Sequence, residues 1–376
     1  MNSNTILIQN MITPYRTRLF NTLNEKGLDF SVFYMSKTES DRNWNIDDTD
    51  INHKRWLDKC GVYFYIKAMH VHINPLLVLK VLLNRKAKNV ILGASYVDLN
   101  IIALVFAKKL HLTSKKFFFW AEANYLTNGA RSESKWKSKF RKFVFSCVDG
   151  ALIVPGKMSE ITFEKWEISA KEFIHLPNTI SDNQLSYKEG NRNVKEKPIF
   201  FMPIRLIESI KGAINFFNSI GEDNIRKCIF FIAGDGEDKK LYEDYITKNH
   251  FENNIILLGF QDALVMEQMY NEANAFVLPS FSDPSPLSMV EALKTHLPIL
   301  CSTHCGNHYE VVIEGENGYC FNPLDKNDIK DKFEAFLSKR DQWTQMGEIS
   351  YRNYLNIFET NKVADNFIEH FNSIAN

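Results

Sequence analysis

The sequence predicts an α/β protein with two doubly wound domains, each built around a parallel sheet. First, 376 residues are too many for one compact core. Second, short apolar β-rich runs alternate with helical patterns along the chain, as in parallel α/β sheets. Third, the polar stretch 182–197 separates two such series and is typical of a linker. We therefore expect domains at 1–185 and 195–355, facing across a cleft where ligands of such sheets bind, followed by a helix at 356–376.

The predicted strands are short apolar runs, and helical patterns fill the gaps between them. In the first series the strands are Thr5–Gln9, Phe30–Tyr34, Asn89–Leu92, Lys116–Ala121, Gly150–Val154 and Phe173–Leu176, with helices at Pro14–Glu25, Pro75–Leu83 and Asp98–Leu110. In the second series the strands are Pro198–Met202, Cys228–Ala233, Ile255–Leu258, Ala275–Leu278 and Pro298–Cys301, with helices at Tyr242–Lys248, Leu264–Asn271 and Leu287–Lys294. From about Ile329 onward the chain is predicted to be mostly helical.

The composition, 45% hydrophobic and 24% charged, is that of a globular protein. The amino terminus shows no basic region followed by a long apolar run, and the most apolar stretch, Leu99–Ala107, is far shorter than the roughly 20 residues that cross a bilayer. We expect a cytoplasmic protein, soluble or resting on the inner face of the cytoplasmic membrane. The six cysteines include no Cys-x-x-Cys pair, so we expect buried free thiols rather than a metal site.

Charge is distributed unevenly along a chain whose net charge is zero. Residues 1–190 contain 27 Lys and Arg against 18 Asp and Glu, and the remainder has the opposite excess. A basic first half suggests an anionic partner, although compositional drift gives the same pattern. Within that half, Lys135–Phe145 mixes cations and aromatics at helical spacing. Such a helix can rest on an anionic membrane. Packing onto its own sheet, with the cations in water, is an equal alternative.

The segment Leu278–Leu293 carries the most chemical information. A strand ends at Pro279, a polar loop follows, and a helix begins near Pro286, since proline suits a first helical turn. Amides at a helix start can hold a phosphate. Asp283 lies in the loop, and Glu291 lies about one turn inside the helix with its side chain directed toward the amino end. That carboxylate can accept hydrogen bonds from two neighbouring hydroxyls, as in ribose, although both acids also fit an ordinary solvated surface.

The segment Phe201–Gly212 places two cations, Arg205 and Lys211, at the carboxyl end of the first strand of the second domain. A diphosphate leaving group gains negative charge as its bond to the transferred group breaks. Cations aimed there stabilise the transition state more than the ground state. Arginine forks onto two oxygens, whereas lysine acts as a point charge. By themselves, such loop cations are usually solvated.

Two further segments are weaker signals. Gly234-Asp-Gly236 ends a strand, and glycines there permit close backbone approach to a ligand. Gly306–Glu310, followed by Asn317-Gly318, is a turn-rich segment that closes the domain. His304 and His308 are expected to be polar surface residues rather than ligands.

In this order and spacing, the segments resemble the family 4 glycosyltransferases, retaining enzymes of the GT-B fold with two Rossmann-like domains facing across a cleft. The resemblance is clearest over residues 198–325. The motifs that carry it are, in order, Arg205, Lys211-Gly212, Gly234-Asp-Gly236, Leu258-Gly-Phe260, Asp283-x7-Glu291, Gly306…Glu310 and Asn317-Gly318. It implies an acceptor-side domain at 1–185, a nucleotide-sugar donor domain at 195–355 and a C-terminal helix at 356–376 that packs back on the first domain.

The resemblance also implies residue roles on the donor side. Arg205 and Lys211 would bind the diphosphate, Glu291 would hold the ribose hydroxyls, and Asp283 would contact the transferred sugar near the reacting centre. The family usually has Glu at the position of Asp283, which keeps the carboxylate but is shorter by one methylene. The further expected donor contacts are Gly234, Gly236, Phe260, Ser285, Pro286, Leu287 and Ser288.

On the acceptor side the resemblance is weaker. Asn10–Phe20 is similar to the family's first strand-to-helix loop, without the Gly-Gly often found there. Trp120–Asn124 follows a strand where many relatives carry a histidine near the donor sugar, and Glu122 is expected to take part in catalysis there. The expected acceptor-side residues are Thr13, Arg16, Arg42, Trp44 and Asn124.

The implied function is sugar transfer with retention, from a UDP- or GDP-linked donor to a glycan or lipid-linked glycan, in bacterial surface polysaccharide biosynthesis. We expect no metal or other cofactor, because Arg205, Lys211 and helix amides can neutralise the diphosphate. Nucleic acid is not an expected partner. The alternative is a catalytically inactive scaffold of the same fold that partners an active transferase. A nucleotide-linked oxidoreductase is disfavoured because no Gly-x-Gly-x-x-Gly follows the first strand.

Overall fold

The computed structural model describes residues 3–39, 48–66, 69–127, 134–149, 151–180, 185–187 and 196–375. The chain divides into two compact units. The first unit comprises Met1–Ala123, Glu133–Thr179 and Thr360–Asn376, and the second comprises Asn124–Ser132 and Ile180–Glu359.

The first unit is built on a parallel sheet of seven described strands in the order β3-β2-β1-β6-β7-β8-β9. Its strands are β1 Thr5–Met11, β2 Phe30–Ser36, β3 Arg55–Leu57, β6 Asn89–Leu92, β7 Lys116–Trp120, β8 Leu152–Val154 and β9 Phe173–His175, and the antiparallel hairpin β4 Val62–Ile66 and β5 Met69–Ile73 stands apart from it. Its first helices are α1 Pro14–Glu25, α2 Pro75–Leu83, α3 Leu99–Lys109, α4 Lys135–Phe145 and α5 Lys157–Lys165.

The central strand of this sheet is buried on both faces, as parallel strands covered by helices require. Ile6 and Ile8 of β1 pack in one apolar cluster, and Leu7 between them packs in another. Since neighbouring strand residues point to opposite faces, the two clusters lie on the two sides of the sheet. The sequence therefore shows continuous apolar runs here rather than alternation.

The second unit has a six-stranded parallel sheet in the order β12-β11-β10-β13-β14-β15. This is the 3-2-1-4-5-6 order of Rossmann-like folds, whose ligands bind where the order reverses. The strands are β10 Ile199–Pro203, β11 Ile229–Ala233, β12 Ile255–Gly259, β13 Ala275–Leu278, β14 Ile299–Ser302 and β15 Gly318–Phe321. The helices are α6 Glu208–Lys211, α7 Ala213–Ile220, α8 Glu222–Arg226, α9 Lys239–Lys248, α10 Ala263–Glu272, α11 Leu287–Lys294, α12 His308–Val311, α13 Lys326–Ser338 and α14 Trp343–Ile357.

The final helix, α15 (Thr360–Ala375), is part of the first unit. Its Phe371 packs against Phe118 of β7 at a ring-centroid distance of 5.0 Å. Its Asp365 forms an ion pair at 2.8 Å with Lys26, the residue that directly follows α1. The last helix therefore completes the apolar layer on one face of the first sheet.

The structure corrects the sequence analysis in several places. β3, the hairpin β4–β5 and β15 were not predicted, although they follow the general α/β pattern. The expectation of buried thiols is wrong for Cys60, which is exposed, and for Cys320, which is partly exposed. Cys301 and Cys320 lie opposite each other on β14 and β15, with their Sγ atoms 3.8 Å apart, as free thiols.

Candidate functional site

Two loops of the second unit lie at the carboxyl edge of its sheet, where the strand order reverses. One follows β10 and leads into α6, and the other joins β13 to α11. The amides of Phe281 and Ser282 donate to the carbonyl of Ile210, at 2.8 and 3.2 Å. The two loops are therefore tied together by backbone hydrogen bonds.

The predicted residues Lys211 and Asp283 meet between these loops. Lys211 Nζ lies 2.5 Å from Asp283 Oδ2, and each side chain is 15% exposed. Gly212 directly follows Lys211 with φ +63°, where a Cβ atom would lie 2.9 Å from the Phe281 ring. The left-handed conformation and the close ring both favour glycine. The two side chains thus form a largely buried ion pair next to a sharp turn.

Glu291 is anchored by a buried tyrosine. The hydroxyl of Tyr270, a residue 1% exposed, donates to Glu291 Oε2 at 2.6 Å. Burial raises the pKa of Glu291, and the Tyr270 hydrogen bond and the charge of Lys294 act in the opposite direction. Charge-assisted hydrogen bonds of this length are strong. The carboxylate is therefore held in one orientation on the first turns of α11.

The start of α11 agrees with the sequence analysis. The helix begins at Leu287, and Pro286 occupies the N-cap position with φ −67°. No acidic residue lies in the first turn. The first amides of a helix lack intrahelical acceptors and carry a partial positive charge. Ser285, Leu287 and Ser288 are partly exposed at this point, so this helix start is suited to an anionic group.

The loop of Asp283 is held from behind by contacts that the sequence analysis did not foresee. The amide of Gly306 donates to the Asp283 carbonyl at 2.8 Å. The side-chain amide of Asn124 reaches the same carbonyl at 3.5 Å and the carbonyl of His304 at 3.1 Å. Asn124, expected on the acceptor side, thus belongs to the second unit and supports the Asp283 loop.

The expectation that two histidines lie at the surface is wrong. His304 and His308 are 4% and 6% exposed. His304 Nδ1 donates to the carbonyl of Phe281 at 2.9 Å, and His308 Nδ1 donates to that of Cys305 at 2.7 Å. Burial lowers the pKa of His308. Both residues therefore stabilise backbone turns beneath the site.

The two glycines after β11 have a different explanation from the one their sequence pattern suggested. A Cβ on Gly234 would lie 2.0 Å from the carbonyl oxygen of Ile204, and one on Gly236 would lie 2.4 Å from that of Leu206. They make room for the chain on either side of Arg205, so the close approach is to protein backbone. Their donor contacts stay a prediction.

Arg205 and Phe260 are the solvent-facing members of the predicted donor set. Arg205 is exposed in the loop after β10. Phe260 follows β12 directly and is 83% exposed. An aromatic ring in water at the carboxyl edge of the sheet can stack on a planar ligand.

In the first unit, the predicted residues Arg16 and Glu122 form an ion pair at 2.7 Å. The side-chain amide of Asn178 donates to the same Glu122 oxygen at 2.9 Å. The guanidinium of Arg16 also lies over the ring of Trp120, 4.5 Å from its centroid. Thr13 is 4% exposed, and its hydroxyl has no hydrogen-bond partner within the described chain. Arg42 and Trp44 lie outside the described residues.

A cavity of about 680 Å³ lies beside this ion pair, within the first unit. Its walls include Arg16, Trp120 and Glu122 together with Glu39, His72 and Asp98, which the sequence analysis missed. Glu39 follows β2 and Asp98 follows β6. Residues just after parallel strands lie at the carboxyl edge of the sheet, so these positions could have indicated both carboxylates in the sequence.

Within the described ranges, no group of three or more His, Cys, Asp or Glu side chains is placed to hold a metal ion. No helix in that part of the chain has the length and apolar character needed to cross a bilayer.

Part of this chain is similar to known proteins. Residues 183–353 match the family model of the glycosyl transferases group 1. The chain is 25% identical over 211 residues to the UDP-Gal:alpha-D-GlcNAc-diphosphoundecaprenol alpha-1,3-galactosyltransferase of Escherichia coli, covering 53% of each. It is 25% identical over 169 residues to an uncharacterized glycosyltransferase of Methanocaldococcus jannaschii, covering 44% of each. The chain spans about half the length of these curated relatives.

Solved structures show the same fold. The chain superposes on the sucrose-phosphate synthase of Thermosynechococcus elongatus with a TM-score of 0.72 at 14% identity, covering 98% of both chains. For HepE of Anabaena in complex with UDP the TM-score is 0.75 at 12% identity, covering 99% of this chain and all of that one. The fold is GT-B. The curated relatives named above carry the names of a galactosyltransferase and a glycosyltransferase.

Proposed function

From the match of residues 183–353 to the group 1 glycosyl transferases, we propose that this protein transfers a sugar, with retention, from a nucleoside-diphosphate sugar to a glycan or lipid-linked glycan. The proposal includes a place among the family 4 enzymes and a role in bacterial surface polysaccharide synthesis. The observation that carries it is the Lys211–Asp283 ion pair at the switch point of the second sheet, with the Tyr270-held Glu291 on the helix that follows the Asp283 loop.

The donor site follows from charge and geometry. Lys211 and the exposed Arg205 offer cations to the diphosphate, and the start of α11 offers amides. Glu291 accepts hydrogen bonds from the two ribose hydroxyls with the oxygen that Tyr270 leaves open. Phe260, exposed beyond β12, stacks on the base. No metal is required, because these groups neutralise the diphosphate.

The Lys211–Asp283 ion pair opens when the donor binds. When the diphosphate binds, its oxygens compete with the Asp283 carboxylate for Lys211. Asp283 is then released toward the sugar that the donor carries. As negative charge grows on the leaving diphosphate, Lys211 stabilises it, and a phosphate oxygen takes the proton of the acceptor hydroxyl.

The preferred base is uracil. HepE of Anabaena was solved with UDP and glucose, and the pneumococcal transferase GtfA was solved with UDP and GlcNAc. The E. coli relative is named for UDP-Gal. These likenesses support UDP over GDP for this chain.

A thermal-shift series tests the donor site. The purified protein is heated with UDP, GDP, their common sugar conjugates or NAD, in EDTA. Because a ligand that binds only the folded state at 100 times its Kd adds about 2.7 kcal/mol of stability, UDP should raise Tm by several degrees. A rise with GDP alone would change the base assignment. A rise with NAD alone would contradict the proposal, and no rise with any nucleotide would favour an inactive scaffold.

We also propose peripheral contact with an anionic membrane on the cytoplasmic side, through α4. Trp136 at its start is 83% exposed, and Lys139 Nζ lies 6.0 Å from the centroid of its ring. Two of its other cations already have partners within the first unit. Arg141 is buried 3.7 Å from the centroid of the Trp166 ring, and Lys142 pairs with Glu167. The contact therefore depends on the first turn of the helix.

Vesicle co-sedimentation tests this contact. Phosphatidylglycerol vesicles at low salt should retain the protein, and phosphatidylcholine vesicles should not. Trp136→Ala should reduce retention, whereas the buried Arg141 should not be needed for it. Equal partition with both lipids would contradict the proposal.

A further inference from the structure

The cavity of the first unit lies at a second topological switch point. It is lined by Asn10 of β1, by Glu39 beyond β2, by the segment 93–99 after β6 and by Glu122 beyond β7. In the sheet, β1 lies between β2 and β6, so the strand order reverses there. Ligands of doubly wound sheets bind at this place. The cavity is therefore positioned as a binding site by the topology of the first unit itself.

A buried chain of carboxylates and imidazoles forms one wall. Glu39 is 3% exposed, and the side-chain amide of Asn10 donates to its Oε1 at 2.7 Å. His72 Nε2 lies 3.5 Å from Glu39 Oε1, and His70 Nε2 lies 3.7 Å from Oε2. On its other side, His72 Nδ1 lies 3.9 Å from Asp98 Oδ2. Two carboxylates thus bracket one imidazole.

Within the described residues, the polar atoms of this wall are not all paired by hydrogen bonds. His72 is 3% exposed, and its Nε2 has no hydrogen-bond partner within the described residues. Asp98 uses Oδ1 to cap α3, accepting from the amides of Asn100 and Ile101 at 2.9 and 3.2 Å, and Oδ2 is turned toward His72. Buried polar groups are nearly always paired in native proteins. An unpaired imidazole nitrogen in a cavity wall therefore points to a ligand group as its partner.

The remaining wall is aromatic. Tyr96, Phe119, Trp120, Phe145 and Trp166 line the cavity. A pocket with apolar and aromatic walls and a few convergent polar groups is typical of small-molecule sites. A sugar ring has this division of surface, because its C–H faces are apolar and its edge carries hydroxyl donors.

The charges that face the cavity decide which sugars fit. The charged side chains are Glu39, Asp98, Glu122 and Arg16, and Arg16 is already paired with Glu122. Burial, with a smaller effect from His70, lowers the pKa of His72 to about 4, so its imidazole is neutral at pH 7. Two carboxylates are left without a cation, and they attract hydrogen-bond donors and repel anions.

On the basis of the proposed function, we propose that this cavity binds the terminal sugar of the acceptor through Glu39, His72 and Asp98, and that it selects a ring bearing hydroxyl or ammonium donors and no anionic group. Glu39 and Asp98 accept hydrogen bonds from the ring edge, and His72 pairs through Nε2. The aromatic residues cover the C–H faces. Acceptor ends that carry a phosphate or a uronic carboxylate are excluded.

Binding of free sugars tests this selection without turnover. Saturation-transfer NMR is recorded with the full chain and nine probes: glucose, galactose and mannose, each as the neutral sugar, the 2-amino sugar and the uronic acid. For at least one of the three sugars, we expect the neutral or the amino form to bind at least tenfold more tightly than the uronic acid of the same sugar. Uronic acids that bind as tightly as their neutral partners, or the absence of binding by all nine, would overturn the inference.

Two charge-removing variants locate the binding. Glu39→Gln keeps an oxygen for Asn10, and Asp98→Asn keeps the helix cap, since Asn and Asp are equally good N-caps. Each variant should bind the preferred sugar at least tenfold more weakly than the wild type does. Each should also discriminate less between that sugar and its uronic acid. The matched control is Asp149→Asn, a carboxylate of the same unit that pairs with Lys108 at 2.8 Å outside the cavity lining. A preference unchanged in both cavity variants would refute the assignment.

The same samples separate this inference from the proposed function. UDP binding depends on residues of the second unit and should be unchanged in Glu39→Gln and Asp98→Asn. If UDP binds and the sugar selection fails, only the cavity assignment is wrong. If the sugars bind as expected and no nucleotide binds, the proposed transfer is wrong although the cavity is a sugar site.

Discussion

Replacing Tyr270 with phenylalanine should weaken nucleotide binding without disturbing the fold. The hydroxyl removed is the donor at 2.6 Å that holds the Glu291 carboxylate. A hydrogen bond to a charged group contributes about 1.5–3 kcal/mol. In the variant, the Glu291 carboxylate recovers part of that energy by hydrogen bonding to water. Ribose binding must then turn the carboxylate back to its original orientation. We therefore expect UDP to bind about tenfold more weakly, equivalent to about 1.4 kcal/mol.

The chain offers a matched control in the same unit. Tyr242 is also 1% exposed, and its hydroxyl donates to Glu208 Oε2 at 2.7 Å. Glu208 keeps two further donors, the amides of Ile214 and Asn215 at 3.0 and 2.9 Å. Tyr242→Phe should lower Tm and leave the Kd for UDP unchanged. An equal loss of UDP affinity in both variants would show that general loosening, not Glu291, is responsible.

Calorimetry with UDP and 2′-deoxy-UDP isolates the ribose contact. If Tyr270 acts through Glu291 on the ribose hydroxyls, the Tyr270→Phe penalty should be smaller for the deoxynucleotide, since one of the two hydrogen bonds is already missing. An equal penalty for both nucleotides would refute the assignment of Glu291 to ribose.

The pH dependence gives a further check with a definite sign. Binding requires ionised Glu291, so affinity falls as pH decreases through its pKa. Burial raises that pKa and the Tyr270 hydrogen bond lowers it. Tyr270→Phe removes the lowering contribution, and the acid loss of UDP affinity should therefore begin at a higher pH. A midpoint that stays in place or moves to lower pH would contradict the argument.

Three further predictions concern transfer and stability. Lys211→Ala and Glu291→Ala should each reduce transfer at least about 100-fold with Tm near that of the wild type, as measured by product formation and thermal melting. Asp283→Asn should lose activity because the amide lacks the negative charge that Asp283 presents to the transferred sugar, while Asp283→Glu should retain part of it; equal activity of the two variants would contradict this. Burial raises the pKa of Asp98 from 3.8 to about 6, which corresponds to about 3 kcal/mol. Because this pKa is higher in the folded state, the contribution is present below pH 4 and lost as pH rises to about 6. As pH rises over that range, the free energy of unfolding of the wild type should therefore fall relative to that of Asp98→Asn. A difference between the two that stays constant with pH in urea titrations would refute the pKa shift.

Local patterns predicted the elements well where the chain carries its own signals. The helices at Pro14–Glu25, Pro75–Leu83 and Leu287–Lys294 have the predicted bounds. In each of them a proline stands at the first helical position or next to it, where its fixed φ favours the start. In the second unit, the loops that hold Lys211 and Asp283 meet because the carboxyl ends of parallel strands share one edge.

Other features depend on partners that are distant in sequence. The sequence between β4 and β5 contains neither Asn-Gly nor Asp-Gly, so no common hairpin signal marks this strand pair. His304 has the composition of a surface residue, and only its bond to the Phe281 carbonyl, 23 positions away, shows why it is buried. Likewise Asn124 supports the Asp283 loop across 159 positions. Side-chain to backbone hydrogen bonds of this range leave no periodic trace in a sequence.

The division of the chain constrains how this protein can be cut and recombined. The polypeptide changes unit at 123/124, 132/133, 179/180 and 359/360, so neither unit is one continuous segment. A fragment ending at 359 would keep the strands of the first unit but lose Phe367 and Phe371, which fill one of its cores. An exchange of the second unit between relatives must therefore insert 180–359 together with the segment that begins at Asn124, and keep the last helix with its original amino-terminal partner.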